Sequence, residues 1–454
     1  MTYEENEGPI RHNLGDLGIQ VLLTVPMRGD TAARPLPDIV ARDIALLQHS
    51  SGTTALKKGV QLTHEAIEAQ VISYSRTLAI GHDDCIATWL PLYHDMGLVA
   101  CFLLPVMCGL PIVSIDAFEW VADPSSLLRA IENYRCTHVW LPNFAFEHLV
   151  RTLPPEADFD LSSMKAFINC SEPCKADTFN RFHATTAPFG VRRKNLQTCY
   201  AMAETVFAVT QTLPDTSVTV VNIDPTGFSE RARAHPVKEG ADGIQFLSVG
   251  QTIAGLQVRI VDKCGNLLPP GAIGEVTIKG DCLFTGYFRL SELTSKRIRD
   301  GWYYSGDLGF LLEDELFITG RLDDLIIVNG RNYYAHDVEY LVNEIEGIKP
   351  GRAVAIGVPN EQTGSEDMVI ISESELTDPI ALRDLQIQVK KRLKIVLDLL
   401  PKSVCLVEPG WLVKTTSGKI SRRENLQKWF RSNPPKKFIQ NVCATVGDLG
   451  TSIS

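Results

Sequence analysis

The sequence predicts an α/β protein, with a large N-terminal part and a smaller α+β C-terminal part, on three observations. Between residues 36 and about 210, short apolar strands alternate with helical patterns, which calls for parallel strands joined by crossover helices. From Val218 to Ile278 the pattern changes to strand pairs separated by turn residues, so this portion reads as more antiparallel. Beyond Gly320 a short unit with its own strands and helices follows, joined near Asp323.

The elements follow in order. Asp43 to His49 is a short apolar strand, and Thr63 suits the cap of a helix with Ile67, Val71, Tyr74 and Leu78 on its inner face. Between them lies SSGTTALKKG, residues 50–59, expected to join the strand directly to the helix. Backbone amides there, with hydroxyls from Ser50, Ser51, Thr53 and Thr54 and the Lys58 ammonium, suit a cluster of anionic oxygens. The loop is no Walker motif, because Lys57 stands where a second glycine would follow Gly52. Taken alone it reads equally well as a polar surface turn.

Strands are expected at Ile86–Trp89, Ile112–Ile115, Thr137–Leu141 and Ala166–Asn169, with helices after Asp95 and over Pro124–Tyr134. Residues 97–115, GLVACFLLPVMCGLPIVSI, are apolar enough for a membrane span, but Pro105, Gly109 and Pro111 divide them into a buried helix and a buried strand. Val258–Val261 and Glu275–Ile278 flank CGNLLPPGAIG as a strand pair. The last unit holds strands at Leu325–Val328, Ala353–Val358 and Met368–Ser372, a helix around Val338–Ile345 and an amphipathic helix over Leu382–Leu397.

The 454 residues, 44% of them hydrophobic, can bury a large core, and the net charge of −10 argues against nucleic-acid binding by bulk electrostatics. Eleven cysteines without a C-x-x-C pair, and with Cys170 and Cys174 lacking partners at zinc spacing, read as buried thiols in a reducing compartment. The polar, acidic start MTYEENEGPI is not a signal peptide. A cytoplasmic protein with no membrane span is expected.

Seven stretches then occur in one order: SSGTTALKKGV, LPLYHDMGL at 90–98, NCSEP at 169–173, CYAMAET at 199–205, YYSGDLG at 303–309, GRLDDLIIVNGRNYYAHDVE at 320–339 and KTTSGKISRR at 414–423. Together they resemble the signatures of the adenylate-forming superfamily, which includes acyl-CoA synthetases, luciferases and adenylation domains. The resemblance implies that ATP and a carboxylic acid give an acyl-adenylate and pyrophosphate, with Mg2+ on the phosphates. It gives Ser51, Gly52, Thr53, Thr54 and Lys58 to the departing phosphates and Lys419 to the α-phosphate and the attacking carboxylate. Ser171, Glu172 and Pro173 would lie beside adenine, with the Tyr200 ring stacked on the base and Ala201 and Met202 completing the nucleotide site. Glu204 would position Mg2+, Thr205 would donate to the α-phosphate, and Asp307 with Arg321 would hold the ribose. Asp323 matches the hinge, and Tyr93-His94 occupies the substrate side, where His94 cannot pair with an α-amino group and so favours an acid without one.

The fuller strings look most like fatty acyl-AMP ligases, the branch that passes acyl groups to carrier proteins in lipid, polyketide or lipopeptide pathways. Residues Asn222 to Ala254 stand where that branch carries an insertion. The implied domains are an adenylation domain over 1–322, a mobile domain carrying Lys419 over 323–432, and a tail over 433–454. Three departures stand out: Ala55 and Lys57 in the phosphate loop, Ala201 where glycine is usual, and about fifty residues before the loop in place of a further subdomain. Another chain could complete that part. Two alternatives stay open: an acyl-CoA synthetase, and a noncatalytic adenylate-binding or scaffold relative.

Overall fold

The computed structural model describes residues 38–49, 58–238, 243–329, 331–360, 365–414 and 420–432. β1 (Ile44–His49) pairs antiparallel with β2 (Gly59–Thr63), and only then does α1 (His64–Thr77) begin. The expected strand–loop–helix unit is therefore corrected: the phosphate-loop sequence connects two strands of a hairpin. The buried Val60 and Leu62, two apart, supply the period-two face that a five-residue strand needs. Thr63 does cap α1, its hydroxyl accepting from the Ala66 amide at 3.2 Å. Val71, Tyr74 and Leu78 lie on the buried side.

The chain continues through β3 (Ile86–Thr88), a π-helical run (Met96–Leu103) leading into α2 (Leu104–Cys108), and β4 (Ile112–Ser114). Asp95 caps the wide run by accepting from the Met96 amide at 2.8 Å, and its end is a Leu104 amide bonded to the Val99 carbonyl, five residues back. Gly97 is required here: a Cβ would sit 2.4 Å from the Pro91 carbonyl oxygen. Two expectations for this stretch fail. Phe102, Val106 and Met107 are exposed, and β4 is a half-buried edge strand, because it ends the sheet and has a neighbour on one side alone.

Next come α3 (Ala117–Ala122), α4 (Ser125–Tyr134), β5 (His138–Leu141), α5 (Asn143–Thr152), β6 (Ala166–Cys170), α6 (Ala176–Thr186) and β7 (Leu196–Ala201). β4, β3, β5, β6 and β7 run parallel in that spatial order, and every residue of β5 and β6 is buried, as helices on both faces require. β8 (Ala208–Gln211) then adds to β7 antiparallel, so the sheet changes direction at β7.

After it the chain forms β9 (Val220–Ile223), α7 (Pro225–Arg231), β10 (Ile244–Leu247), β11 (Gln251–Thr252), β12 (Leu256–Val261), β13 (Gly274–Gly280), β14 (Gly286–Tyr287), α8 (Ser291–Arg297), β15 (Ile298–Arg299), β16 (Trp302–Leu312) and β17 (Glu315–Arg321). The two-residue β11 bridges β8 and β17, so the parallel and antiparallel portions form one 12-stranded sheet.

A turn at 322–324 leads to the hairpin β18 (Leu325–Val328) and β19 (Arg331–Tyr334), α9 (Ala335–Asn343), β20 (Ala353–Asn360), β21 (Ser365–Glu373), α10 (Pro379–Leu397), β22 (Ser403–Val407) and α11 (Arg422–Ser432). β20, β21 and β22 form a separate three-stranded sheet with its own apolar core, in which Val338, Val342, Leu385, Val389 and Leu393 take part. Six of the ten described cysteines are buried and Cys264 alone is exposed; burial pushes the Cys101 and Cys282 thiols up to about 12. No helix among the described residues is long and apolar enough to cross a membrane. The tail after 432 lies outside the described residues.

Two buried charge clusters yield predictions. Arg422 binds Asp324 through Nη1 at 2.5 Å and Glu339 through Nε at 2.8 Å and Nη2 at 2.5 Å, fastening the start of α11 to the turn before β18 and to α9. Truncating it strands two carboxylates that are less than a fifth exposed. Arg422→Ala should lower the free energy of urea unfolding by about 3 kcal/mol, with Arg422→Lys recovering part of it.

His138 is 2% exposed, with Thr137 Oγ1 at 2.9 Å, Asp84 at 3.7 Å, and Lys165 bonded to the same Asp84 oxygen at 2.7 Å. Burial pulls its pKa down from 6.5 to about 4; Asp84 opposes this and Lys165 adds to it. Between those values the unfolded chain binds a proton that the fold refuses. Stability present above pH 6.5 is therefore lost as pH falls towards 4. His138→Gln should flatten that fall in urea titrations, and an unchanged slope would contradict the assignment.

Candidate functional site

The carboxyl ends of β6 and β7, where the sheet changes direction, form the kind of crevice in which α/β sheets bind ligands. Ser171 leaves β6 with a left-handed φ of 71°, turning the chain sharply at NCSEP. Glu172 accepts from the Phe144 amide at 2.9 Å, which ties this turn to α5, and Pro173 is exposed.

Tyr200, near the end of β7, donates its hydroxyl to Asp307 Oδ2 at 2.5 Å. Burial and the neighbouring Asp307 carboxylate push the Tyr200 pKa far up, so the phenol stays protonated and donating. The other Asp307 oxygen accepts from Arg321 Nε at 3.2 Å, since β16 and β17 pair these two residues directly. Gly306 beside it adopts φ 79°, and a Cβ there would meet Arg297 Nη1 at 2.8 Å. Ala201 and Met202 follow Tyr200, half-buried.

Glu204 is buried, and its Oε1 accepts from the Tyr287 hydroxyl at 2.8 Å, with Tyr303 Oη 3.4 Å from that hydroxyl. Lys58 Nζ lies over the Tyr287 ring, 5.4 Å from its centre. Burial lowers the Lys58 pKa, and the Glu204 carboxylate works against that shift. Immediately afterwards the backbone makes a tight γ-turn at Val206, φ 65° and ψ −54°, closed by the Phe207 amide on the Thr205 carbonyl at 2.7 Å. This conformation is costly for a β-branched residue, and it re-aims the chain right beside Glu204. Thr205 is fully buried with its hydroxyl facing the carbonyl oxygens of Met202 and Phe207, at 3.1 and 2.9 Å. In this geometry it donates to backbone, not outward.

The structure thus brings together Lys58, Tyr200, Glu204, Asp307 and Arg321. His94 has its Nδ1 2.6 Å from Asp95, and Asp323 is exposed in the turn before β18. Ser51, Gly52, Thr53, Thr54 and Lys419 lie outside the described residues. Tyr287 has no signal in the sequence, since it meets Glu204 from 83 residues away, and Tyr303 is marked there only as the start of YYSGDLG, with no role. Lys175, two residues past NCSEP, reaches Asp337 of α9 at 2.6 Å and was likewise unforeseen. No cluster of three or more acidic, histidine or cysteine side chains suited to a metal occurs among the described residues.

Comparison with known proteins bears on this crevice. Residues 6–288 match the family described as AMP-binding enzyme. A putative ligase of Mycobacterium tuberculosis is 29% identical over 90% of this chain and 76% of its own length. A medium-chain-fatty-acid–[acyl-carrier-protein] ligase of Moorena producens is 32% identical over 85% of this chain and 68% of its own. Among solved structures, one from a study of fatty acyl-adenylate ligases of E. coli and L. pneumophila superposes with a TM-score of 0.82, at 28% identity over 89% of this chain and 73% of that one. A fatty acyl-adenylate ligase of L. pneumophila in complex with acyl adenylate and pyrophosphate gives 0.63, at 26% identity over 87% and 71%. With a family match over more than half of the chain and relatives aligned over two thirds of their length, the chain belongs to the AMP-binding enzyme family of adenylate-forming ligases.

Proposed function

We propose that the chain activates a carboxylic acid, a fatty acid, with ATP and then hands the acyl group to the phosphopantetheine thiol of a carrier protein, in the cytoplasm. The observation that carries this reading is the set of Tyr200, Asp307 and Arg321 beside Glu204 and Lys58, gathered at the switch point of the sheet. An acid oxygen attacks the α-phosphorus and forms the new P–O bond; the bond to the β-phosphate oxygen breaks, and pyrophosphate leaves. Charge accumulates on phosphoryl oxygens, so cations and placement do most of the work.

Asp307 would accept from the ribose hydroxyls, with Arg321 and Tyr200 fixing its two oxygens. Lys58 and the hydroxyls of Ser51, Thr53 and Thr54 would face the departing phosphates. Lys419 would steady the developing charge. Arg422, three residues on, is anchored twice over, and Lys414 pairs with Ile420. Glu204 fits a magnesium ion: one oxygen is fixed by Tyr287, the other has no hydrogen bond among the described residues, and Mg2+ needs few protein ligands when phosphates supply the rest. When bound, the ion would neutralise phosphate charge.

Residues of the Asn222–Ala254 stretch support a carrier in preference to free CoA. Phe228 of α7 packs on Tyr334 with ring centres 5.7 Å apart, and Glu230 pairs with Arg331 at 3.1 Å, so the stretch is bonded to the hairpin beyond Asp323. A restraint there opposes the rotation about Asp323 that CoA transfer needs.

Lys419→Ala should reduce ATP–pyrophosphate exchange by at least about a hundredfold, the scale of losing one charged transition-state contact, while leaving the thermal melt unchanged. Exchange within about tenfold of wild type would remove Lys419 from the chemistry. Supplied with ATP, Mg2+ and a productive acid, the protein should acylate a pantetheinylated carrier far faster than CoA, and deleting residues 226–243 should switch CoA transfer on. Equal rates on both acceptors before deletion would establish an acyl-CoA synthetase, and no exchange with any acid a noncatalytic relative.

A further inference from the structure

Helix α10 is the most basic element of an acidic chain. Its 19 residues carry five basic side chains, Arg383, Lys390, Lys391, Arg392 and Lys394, against one acidic residue, Asp384, in a protein of net charge −10. Leu385, Val389 and Leu393 face the small core. At 100° per residue the opposite face presents Ile380, Arg383, Ile387, Lys391, Lys394 and Ile395, with the exposed Asp384 as the one acidic side chain among them. The three isoleucines are 72%, 54% and 69% exposed, and Leu400 just beyond the helix is 66% exposed. Arg383 and Lys391 hold no ion pair among the described residues, whereas Lys394 binds Asp398 at the helix end. A solvated helix face does not need three isoleucines. Exposed apolar side chains rimmed by charge on one helix face suit a contact surface.

We infer that this outward face of α10 is the surface on which an acidic amphipathic helix of the carrier protein docks. The inference rests on the carrier reading above and adds where the carrier sits. Isoleucines spaced about two turns apart, with cations between them, match a partner helix carrying apolar knobs flanked by carboxylates. An anionic membrane surface is the poorer fit. The charges on this face interrupt what would have to be a continuous apolar stripe. Position favours the carrier as well. Asp398 at the end of α10 pairs with Arg331 at 2.6 Å, and Arg331 pairs in turn with Glu230, so the face begins beside the domain junction. A carrier seated there would travel with the small domain.

The test uses the full chain with Arg383→Glu and Lys391→Glu combined, and separately Ile387→Ser. ATP–pyrophosphate exchange and transfer to free pantetheine should equal wild type. Transfer to an acidic pantetheinylated carrier should lose roughly tenfold in kcat/KM and much of its salt dependence. A carrier whose helix carboxylates are changed to lysine should recover the double variant. Unchanged carrier transfer in both variants would overturn the proposal. So would wild-type sedimentation with phosphatidylserine vesicles that the double variant loses while carrier transfer stays equal. A wild type that exchanges pyrophosphate but acylates pantetheine and no carrier would overturn the acceptor reading itself, an outcome distinct from failure of the docking face alone.

Discussion

One carboxylate, Asp307, ties the last parallel strand to a hairpin that the chain reaches only much later. Tyr200 comes to it from the last parallel strand, 107 residues earlier, and Arg321 from the strand that leads out towards the small domain. Both of its oxygens are engaged, so its orientation is set before any ligand arrives. The buried Tyr200 phenol, for its part, has no better acceptor than this carboxylate. Without that pairing, a buried hydroxyl at the mouth of the crevice would lack its partner, at a cost of about 1–3 kcal/mol. The crevice, the joining of parallel to antiparallel sheet, and the exit of the chain towards β18 all meet at this group.

The parallel strands were legible because burial on both faces leaves apolar runs such as His138–Leu141 and Ala166–Cys170, and the cap at Thr63 because its hydroxyl acts locally. What was missed depends on distance or on geometry that composition does not encode. Five residues from Gly59 to Thr63 look like a helix approach until β1 is seen beside them. The π-helical run has the same residues that an α-helix would have. At the site, Tyr200, Asp307 and Arg321 could be named because ordered motifs mark them, but Tyr287 could not, since its role exists only through a contact across the fold. Thr205 shows the opposite limit: its place in a motif was readable, while its hydroxyl's turn towards two carbonyls follows from the strained backbone at Val206.

The junction between the large sheet and the small one combines two kinds of contact. Arg331 with Glu230 is an exposed ion pair worth at most about 1 kcal/mol and weakened by salt, whereas Lys175 with Asp337 is largely buried. Phe228, Phe246 and Tyr334 form an apolar contact beside them, joined by Phe310 and Phe317 of β16 and β17. Such a joint is fixed on its apolar side and easily loosened on its charged side.

The placement of thiols turns the chain into a ready object for distance measurements. Cys264, in the turn between β12 and β13, is the one exposed cysteine among the described residues, whereas buried thiols held in the protonated form react slowly with maleimides. With Cys443 in the tail replaced, a fluorophore would settle on that hairpin, which belongs to the large sheet. A second dye on a cysteine introduced at the exposed Glu408, just past β22, would then report the distance between the large sheet and the small one, one molecule at a time, without rebuilding the interior.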